Sequence, residues 1–268
     1  MITSGEIQKI AHEQGVRDTQ IEKDYVIGWV LKGISMNPYL KEHLIFKGGT
    51  VLKKVWYADY RFSEDMDFTF YGEDWSKARI EQEFQSVCEW IYEESRITMS
   101  IRPEEGSTDQ YRGYLDYQGP LGGQKDIKLD ISTDELIYFH IEEQLILDHY
   151  SDKEQDYFVK VYSLEESLAE KLRCILQRSI PRDIYDIWYL TEEVGLEIEE
   201  VAFGFLDKAI HKEKDPLKLI DTLQLKKKKF KSNWEQSLQH QIKHLPEFEG
   251  VWRSIMSETK KLTSLLKS

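Results

Sequence analysis

The sequence has few cysteines, no long apolar run and no surplus of positive charge. Its two cysteines, Cys88 and Cys174, carry no metal-ligand spacing around them. That excludes a disulfide framework or a cysteine-based zinc site and reads as the reduced thiols of a cytoplasmic protein. No stretch approaches the roughly 18 uninterrupted apolar residues that a membrane span needs. The opening segment, MITSGEIQKIAHEQG, has no apolar region of the signal-peptide kind. A soluble, cytoplasmic chain is therefore expected. Basic residues number 36 and acidic residues 49, a net charge of −13, so the field of the whole protein does not favour nucleic acid. Internal repeats and low-complexity linkers are missing as well.

What is present forms a core. Hydrophobic residues make up 40% of the 268 positions and aromatics 12%, which excludes global disorder. The length suits one large domain or two lobes. Helices are expected over 4–14, with Ser4 as N-cap, and over 18–34. Leu44–Phe46 reads as a buried strand broken by Gly48 and Gly49, with a short helix from Thr50 to Tyr57. Met66–Tyr71 alternates as a strand, and 75–95 has a helical apolar stripe. Strands follow near 96–102, 111–117 and 125–132, then at Phe158–Tyr162. From Ser163 the pattern turns helical: a capping box with Glu166 opens a helix to Gln177, and Pro181 starts another to Glu193. The expected fold is α+β, a mixed-sheet core over 1–160 followed by an α-helical lobe over 161–268. The run Lys226, Lys227, Lys228, Lys229 and Lys231 reads first as a solvated helix face and secondly as a local phosphate-binding patch.

Two features within Lys47–Phe68 carry chemistry. The first is strand, Gly48-Gly49-Thr50, helix. Glycines allow close backbone approach, and a helix start offers free N–H groups, a combination that binds phosphate. The second is Asp65-Met66-Asp67 at a strand start. The strand period of two projects both carboxylates from one face, where they repel unless a cation such as Mg²⁺ lies between them. Each feature alone has a structural explanation, a turn and a solvated strand edge. Together they match the arrangement of polymerase-β-like nucleotidyltransferases, whose third carboxylate comes from a later strand. Asp130 in KDIKLDI is the candidate for that ligand and for the base near an attacking hydroxyl, with Asp126 in reserve.

The succession KGGTVLKKVW, RFSEDMDF, KLDI, SLEESLAEKLRCILQR and PRDIYDIWYL resembles the AbiEii-type nucleotidyltransferase toxins over about residues 40–192. The resemblance implies nucleotide binding by Lys47, Gly48, Gly49, Thr50 and Ser63, and metal binding by Asp65, Asp67 and Asp130. It implies a phosphate-contacting Lys171, and a fourth motif of Arg182, Asp183 and Asp186. Residues from about 195 onward lie outside it. Taken from the residues alone, Lys171 is equally a member of an ordinary helix salt-bridge cluster with the nearby Glu166, Glu170 and Arg173, and Asp186 either orients Lys171 or contacts nucleotide.

The function this implies is nucleotidyl transfer with two Mg²⁺ ions, moving NMP from an NTP to an acceptor hydroxyl. The acceptor suggested by the resemblance is the 3′ end of a tRNA, and the setting a toxin–antitoxin or abortive-infection system of phage defence. A cognate antitoxin, often with a winged-helix DNA-binding part, is the implied partner. Transfer to a protein or small molecule, kinase-like phosphotransfer, and non-catalytic nucleotide binding are the alternatives.

Overall fold

The computed structural model describes residues 1–104, 106, 110–152 and 155–267. The chain divides into two compact units. The first comprises Met1–Asp134, Ile141–Val161 and Gln241–Lys243; the second comprises Glu135–His140, Tyr162–His240 and the chain from His244 onward. No helix among the described residues is long and apolar enough to cross a membrane.

The first unit begins with α1 (Ser4–Gln14), α2 (Asp18–Met36) and α3 (Pro38–His43). Then come β1 (Leu44–Lys47), α4 (Gly49–Val51), a π-helical turn Leu52–Trp56, β2 (Met66–Phe70) and α5 (Lys77–Ser95). Strands β3 (Thr98–Pro103), β4 (Gln110–Gln118), β5 (Lys125–Ser132), β6 (Ile141–Leu145) and β7 (Phe158–Tyr162) complete it. The sheet order is β3-β4-β5-β2-β1-β7-β6. β2 runs antiparallel to β1 and parallel to β5, while β3, β4 and β5 form an antiparallel meander. This is the mixed sheet that the alternating strands led us to expect. Ile127, Leu129 and Ile131 of β5 and Met66, Phe68 and Phe70 of β2 are buried. The intervening Lys128, Asp130 and Asp67 therefore share the other sheet face. Helix α2 is buried nearly all round, with Ile21, Tyr25, Val26, Val30 and Ile34 in the core, as befits a central helix.

Several local expectations are corrected. The cap of α1 is Thr3, whose hydroxyl accepts the Glu6 N–H, rather than Ser4, which already lies inside the helix. The helical segment after the glycines begins at Gly49 and widens into a π-turn at Leu52–Trp56. Helix α3 and strand β6 were not anticipated. The first is only six residues long, with Asn37 as cap and Pro38 behind it. The second, IEEQL, is nowhere fully buried, so it shows no hydrophobic alternation.

The second unit is helical: α6 (Leu164–Gln177), α7 (Pro181–Trp188) running into a π-turn at Tyr189–Glu193, α8 (Ala202–His211), a 3₁₀ turn Pro216–Lys218, α9 (Leu219–Leu238) and α10 (Phe248–Leu265). Ser163 caps α6 by accepting the Glu166 N–H, but the expected capping box is only half formed. The fully buried Glu166 carboxylate instead accepts the N–H groups of Tyr138 and Phe139, at 3.0 and 2.8 Å, and pairs with Lys208 at 2.6 Å. Lys208 is itself buried and also meets Glu170 at 3.2 Å. Removing one partner of such a buried pair strands the other charge. Glu166→Ala is therefore expected to cost about 3–5 kcal/mol of stability. A urea midpoint within about 1 kcal/mol of wild type would show that Glu170 alone satisfies Lys208.

Candidate active site

Gly48 adopts φ 84° and ψ −166°, a conformation closed to other residues. Space forbids a side chain there too, since a Cβ would lie 2.5 Å from Asp67 Oδ2. The turn thus brings its backbone directly against one candidate metal ligand. At Gly49 a Cβ would lie 2.5 Å from Nη2 of Arg61. Arg61 is only 2% exposed; its Nη1 donates to Gln241 Oε1 at 3.1 Å, and the Phe62 N–H donates to the Gln241 carbonyl at 2.8 Å. The Thr50 hydroxyl donates to the Asp65 carbonyl at 2.5 Å. The glycine turn and the D-x-D segment are therefore one clamped structure. Ser63, in the connection between them, is buried.

The strand register aligns the charged groups. Lys47 of β1 faces Asp67 of β2, Asp67 faces Asp130 of β5, and Asp130 faces Arg112 of β4. Residues in register share a sheet face, so four strands carry a row of cation, carboxylate, carboxylate, cation. Continuing the β2–β5 register by one residue sets Asp65 beside Lys128. Like charges on neighbouring strands, about 4.8 Å apart, destabilise a sheet unless compensated. Lys128 supplies the nearest compensation, its Nζ 2.5 Å from Asp130 Oδ2. Burial pulls the Lys128 ammonium toward neutrality, but the hydrogen bond and charge of Asp130, with the charges of Asp65 and Asp67, hold it above the ordinary lysine range. Asp130 Oδ1 lies 3.8 Å from Arg112 Nε and is buried without a hydrogen-bond partner among the described residues.

Asp126, the reserve ligand, is separated from this cluster. It lies four residues before Asp130, roughly 13 Å along the strand, is half-exposed, and is 3.5 Å from Arg102. Among the described residues no group of three or more His, Cys, Asp or Glu side chains is arranged to hold a metal ion as it stands. By donor chemistry the residues nonetheless fit a hard divalent cation: all the donors are oxygens, the strand register sets Asp67 beside Asp130, and one Asp130 oxygen has no bond to lose.

The remaining candidates lie in the second unit. Lys171 Nζ sits 2.7 Å from Asp186 Oδ2 and 3.2 Å from Asp183 Oδ1. Arg178 grips Asp183 with a fork, Nε to Oδ2 at 2.8 Å and Nη2 to Oδ1 at 2.9 Å. Within α6, Glu166 and Glu170 stand five and one positions before Lys171; Glu166 pairs with Lys208, and Glu170 with Arg173 and Lys208. Asp186, fully buried, does what one of its two sequence readings proposed, holding Lys171. Arg182 is half-buried beside them. Residue reasoning missed Arg61, Arg112, Lys128 and Arg178. Arg61, Lys128 and Arg178 lie inside the quoted motifs and Arg112 on β4. Tertiary folding brings Arg61 to Gln241 and Arg178 to Asp183, strand register sets Arg112 beside Asp130, and Lys128 meets Asp130 along its own strand.

The model of the family described as "Nucleotidyl transferase AbiEii toxin, Type IV TA system" matches residues 29–257. The chain belongs to this AbiEii nucleotidyltransferase toxin family. Among solved structures, MenT4, a nucleotidyltransferase toxin from Mycobacterium tuberculosis H37Rv, is similar with a TM-score of 0.70 and 15% identity, over 98% of this chain and 90% of that one. A protein of H. pylori described as a nucleotidyltransferase is similar with a TM-score of 0.55 and 17% identity, over 91% and 95%. Both likenesses concern the fold. No curated protein matches the chain in sequence. The AbiEii assignment accounts for the mixed sheet and places all four motifs within one matched span.

The Asp183 cluster has a pH signature. Burial acts to raise the Asp183 carboxyl, but Lys171 and Arg178 outweigh it and hold the group below its ordinary range. A depressed folded-state pKa contributes stability that is complete above the unfolded value of about 3.9 and disappears as pH falls through the folded value. Asp183→Asn is therefore expected to destabilise the protein at pH 7. The gap from wild type should shrink as the pH of denaturation titrations is lowered below about 4. A gap constant with pH would contradict the assigned pairing.

Proposed function

We propose that this AbiEii-family chain transfers a nucleoside monophosphate from an NTP to an acceptor hydroxyl. The observation that carries the reading is the in-register pair Asp67 and Asp130 beside the Gly48–Thr50 turn. Asp65, Asp67 and Asp130 would hold the divalent cation, Mg²⁺ in one or two copies, whose chemistry is to neutralise charge on phosphate and on the attacking oxygen. The backbone N–H groups at Gly48–Thr50 bind phosphate oxygens, and Lys47 and Ser63 line the same turn. Asp130 accepts the proton of the acceptor hydroxyl. That oxygen forms a bond to the α-phosphorus, the α–β bridging bond breaks, and pyrophosphate leaves. Lys171, held by Asp186 and Asp183, gives its charge to nucleotide phosphate as its place in the family's third motif implies, with Arg182 beside it.

The acceptor proposed is the 3′ end of a tRNA in the cytoplasm, in a toxin–antitoxin setting that serves phage defence. The basic run contributes less to RNA than its composition implied. Lys226 donates to the Ile175 and Arg178 carbonyls, and Lys227 and Lys231 pair with Glu249. Lys228 and Lys229 are exposed and are the members that would meet phosphate.

The test is incubation with total RNA, Mg²⁺ and each NTP labelled at the α- or the γ-phosphate. Label from the α-position should enter RNA, and Asp67→Asn should lower the rate by at least about a hundredfold, as loss of a group acting in the transition state does. Transfer of γ-label would assign phosphotransfer instead, and label in protein or small molecules would reassign the acceptor. Lys128→Met removes a cation from among the three carboxylates. It is expected to tighten Mn²⁺ binding by about tenfold, read by electron paramagnetic resonance without nucleotide, because a fixed competing charge is lost. Unchanged Mn²⁺ affinity would place the metal elsewhere.

A further inference from the structure

The π-turn Leu52–Trp56 that follows the glycine turn carries two adjacent buried lysines with opposite circumstances. Lys54 is 1% exposed and fully compensated, 2.7 Å from Asp24 and 3.5 Å from Asp148. Tyr150 and Tyr157 donate their hydroxyls to those same carboxylates, at 2.8 and 2.6 Å. Lys53 is 9% exposed, and no carboxylate lies within ion-pair distance of it among the described residues. Its ammonium donates to the Ala58 carbonyl and rests 4.2 Å from the Phe62 ring centroid. An ammonium has three donors, so two are unspent. Burial, aided by the neighbouring Lys54 charge, holds Lys53 below the ordinary lysine range, against the more distant charges of Asp24 and Asp59. A buried charge without a partner is expensive, and a protein that keeps one has a reason beyond packing.

Lys53 lines a cavity of about 330 Å³ in the first unit. Ile10, Ile21, Phe62 and Leu147 form apolar walls, and the exposed Glu13, Gln14, Ala58 and His149 stand at the mouth. The cavity thus has apolar walls and one cation without an ion-pair partner; Asp24, also in its lining, is already held by Lys54 and Tyr150. We propose that it is a second ligand site, for a small organic monocarboxylate whose carboxylate rests on Lys53 and whose aliphatic or aromatic body fills the apolar walls. A single positive charge suits a monoanion. A phosphate, carrying about −1.5 to −2 charges, would leave an excess facing Asp24 and Glu13. The site lies outside the glycine turn and the aspartates. It shares one continuous helical segment, Gly49–Trp56, with the glycine turn, so an occupant would brace the segment whose first residues form that turn.

The experiment is calorimetric titration and thermal melting of the intact chain, without nucleotide, using octanoate and 3-phenylpropionate. Octanamide serves as a neutral match and inorganic phosphate as an anion without an apolar body. The expected result is one equivalent of octanoate bound with a raised melting temperature, octanamide weaker by at least about tenfold, and no response to phosphate. Lys53→Met should abolish carboxylate binding and, in the absence of ligand, melt above wild type, because the stranded charge is gone. Ala58→Trp, at an exposed position, fills the mouth while keeping Lys53 and should also abolish binding. It carries the test if Lys53→Met misfolds. Octanoate that fails to bind wild type, that binds Lys53→Met as tightly, or that is matched by octanamide overturns the proposal. Since no nucleotide is present, failure of the transferase reading leaves this result untouched.

Discussion

Two carboxylates that stand side by side on neighbouring strands must be neutralised, and much of the first unit follows from that requirement. The register of β1, β2, β5 and β4 sets Asp67 and Asp130 together and places Lys47 and Arg112 at the ends of the same row. Lys128 leans into the cluster from within β5. The apolar faces of β2 and β5 fix that register, because a slip of one residue would drive the aspartates into the core and Phe68 or Leu129 out of it. The packing of Met66, Phe68, Leu129 and Ile131 thus aligns the charges. The charges in turn gather carboxylate oxygens and cations on this one sheet face.

The glycine turn obeys the same constraint from the other side. Gly48 has no room for a side chain because Asp67 fills the space, and Thr50 ties the turn to the backbone of Asp65. The glycine turn and the aspartate strand are therefore not two motifs placed near one another. Moving one moves the other, so KGGT and EDMD, some fifteen residues apart, form a single structural unit.

Much of this was legible in the residue pattern, and the exceptions share a cause. Gly48, Gly49, Asp65 and Asp67 announce themselves by local spacing, and Asp130 by its alternation with Leu129 and Ile131. The order and direction of the strands, which decide that Asp130 and not Asp126 faces Asp67, are properties of tertiary pairing. Arg61 was silent for the same reason, since its partner Gln241 lies 180 positions away. Lys171 was ambiguous because it shares α6 with the acidic Glu166 and Glu170, though five and one positions from them. Only the fold shows that those carboxylates are spent on Lys208 and Arg173, leaving Asp183 and Asp186 for the lysine. The π-turn that buries Lys53 and Lys54 had no reading in the sequence beyond a short helix.

The return of Gln241–Lys243 to the first unit has a consequence in time. Arg61 backs the glycine turn and is itself held by Gln241, so the support of that turn depends on a residue made 180 positions later. At about 5–20 residues per second, a nascent chain carries an unsupported turn for roughly ten to forty seconds of synthesis. A protein whose activity harms the cell that makes it gains from this order. A nascent chain that has not yet reached Gln241 lacks this clasp on its glycine turn.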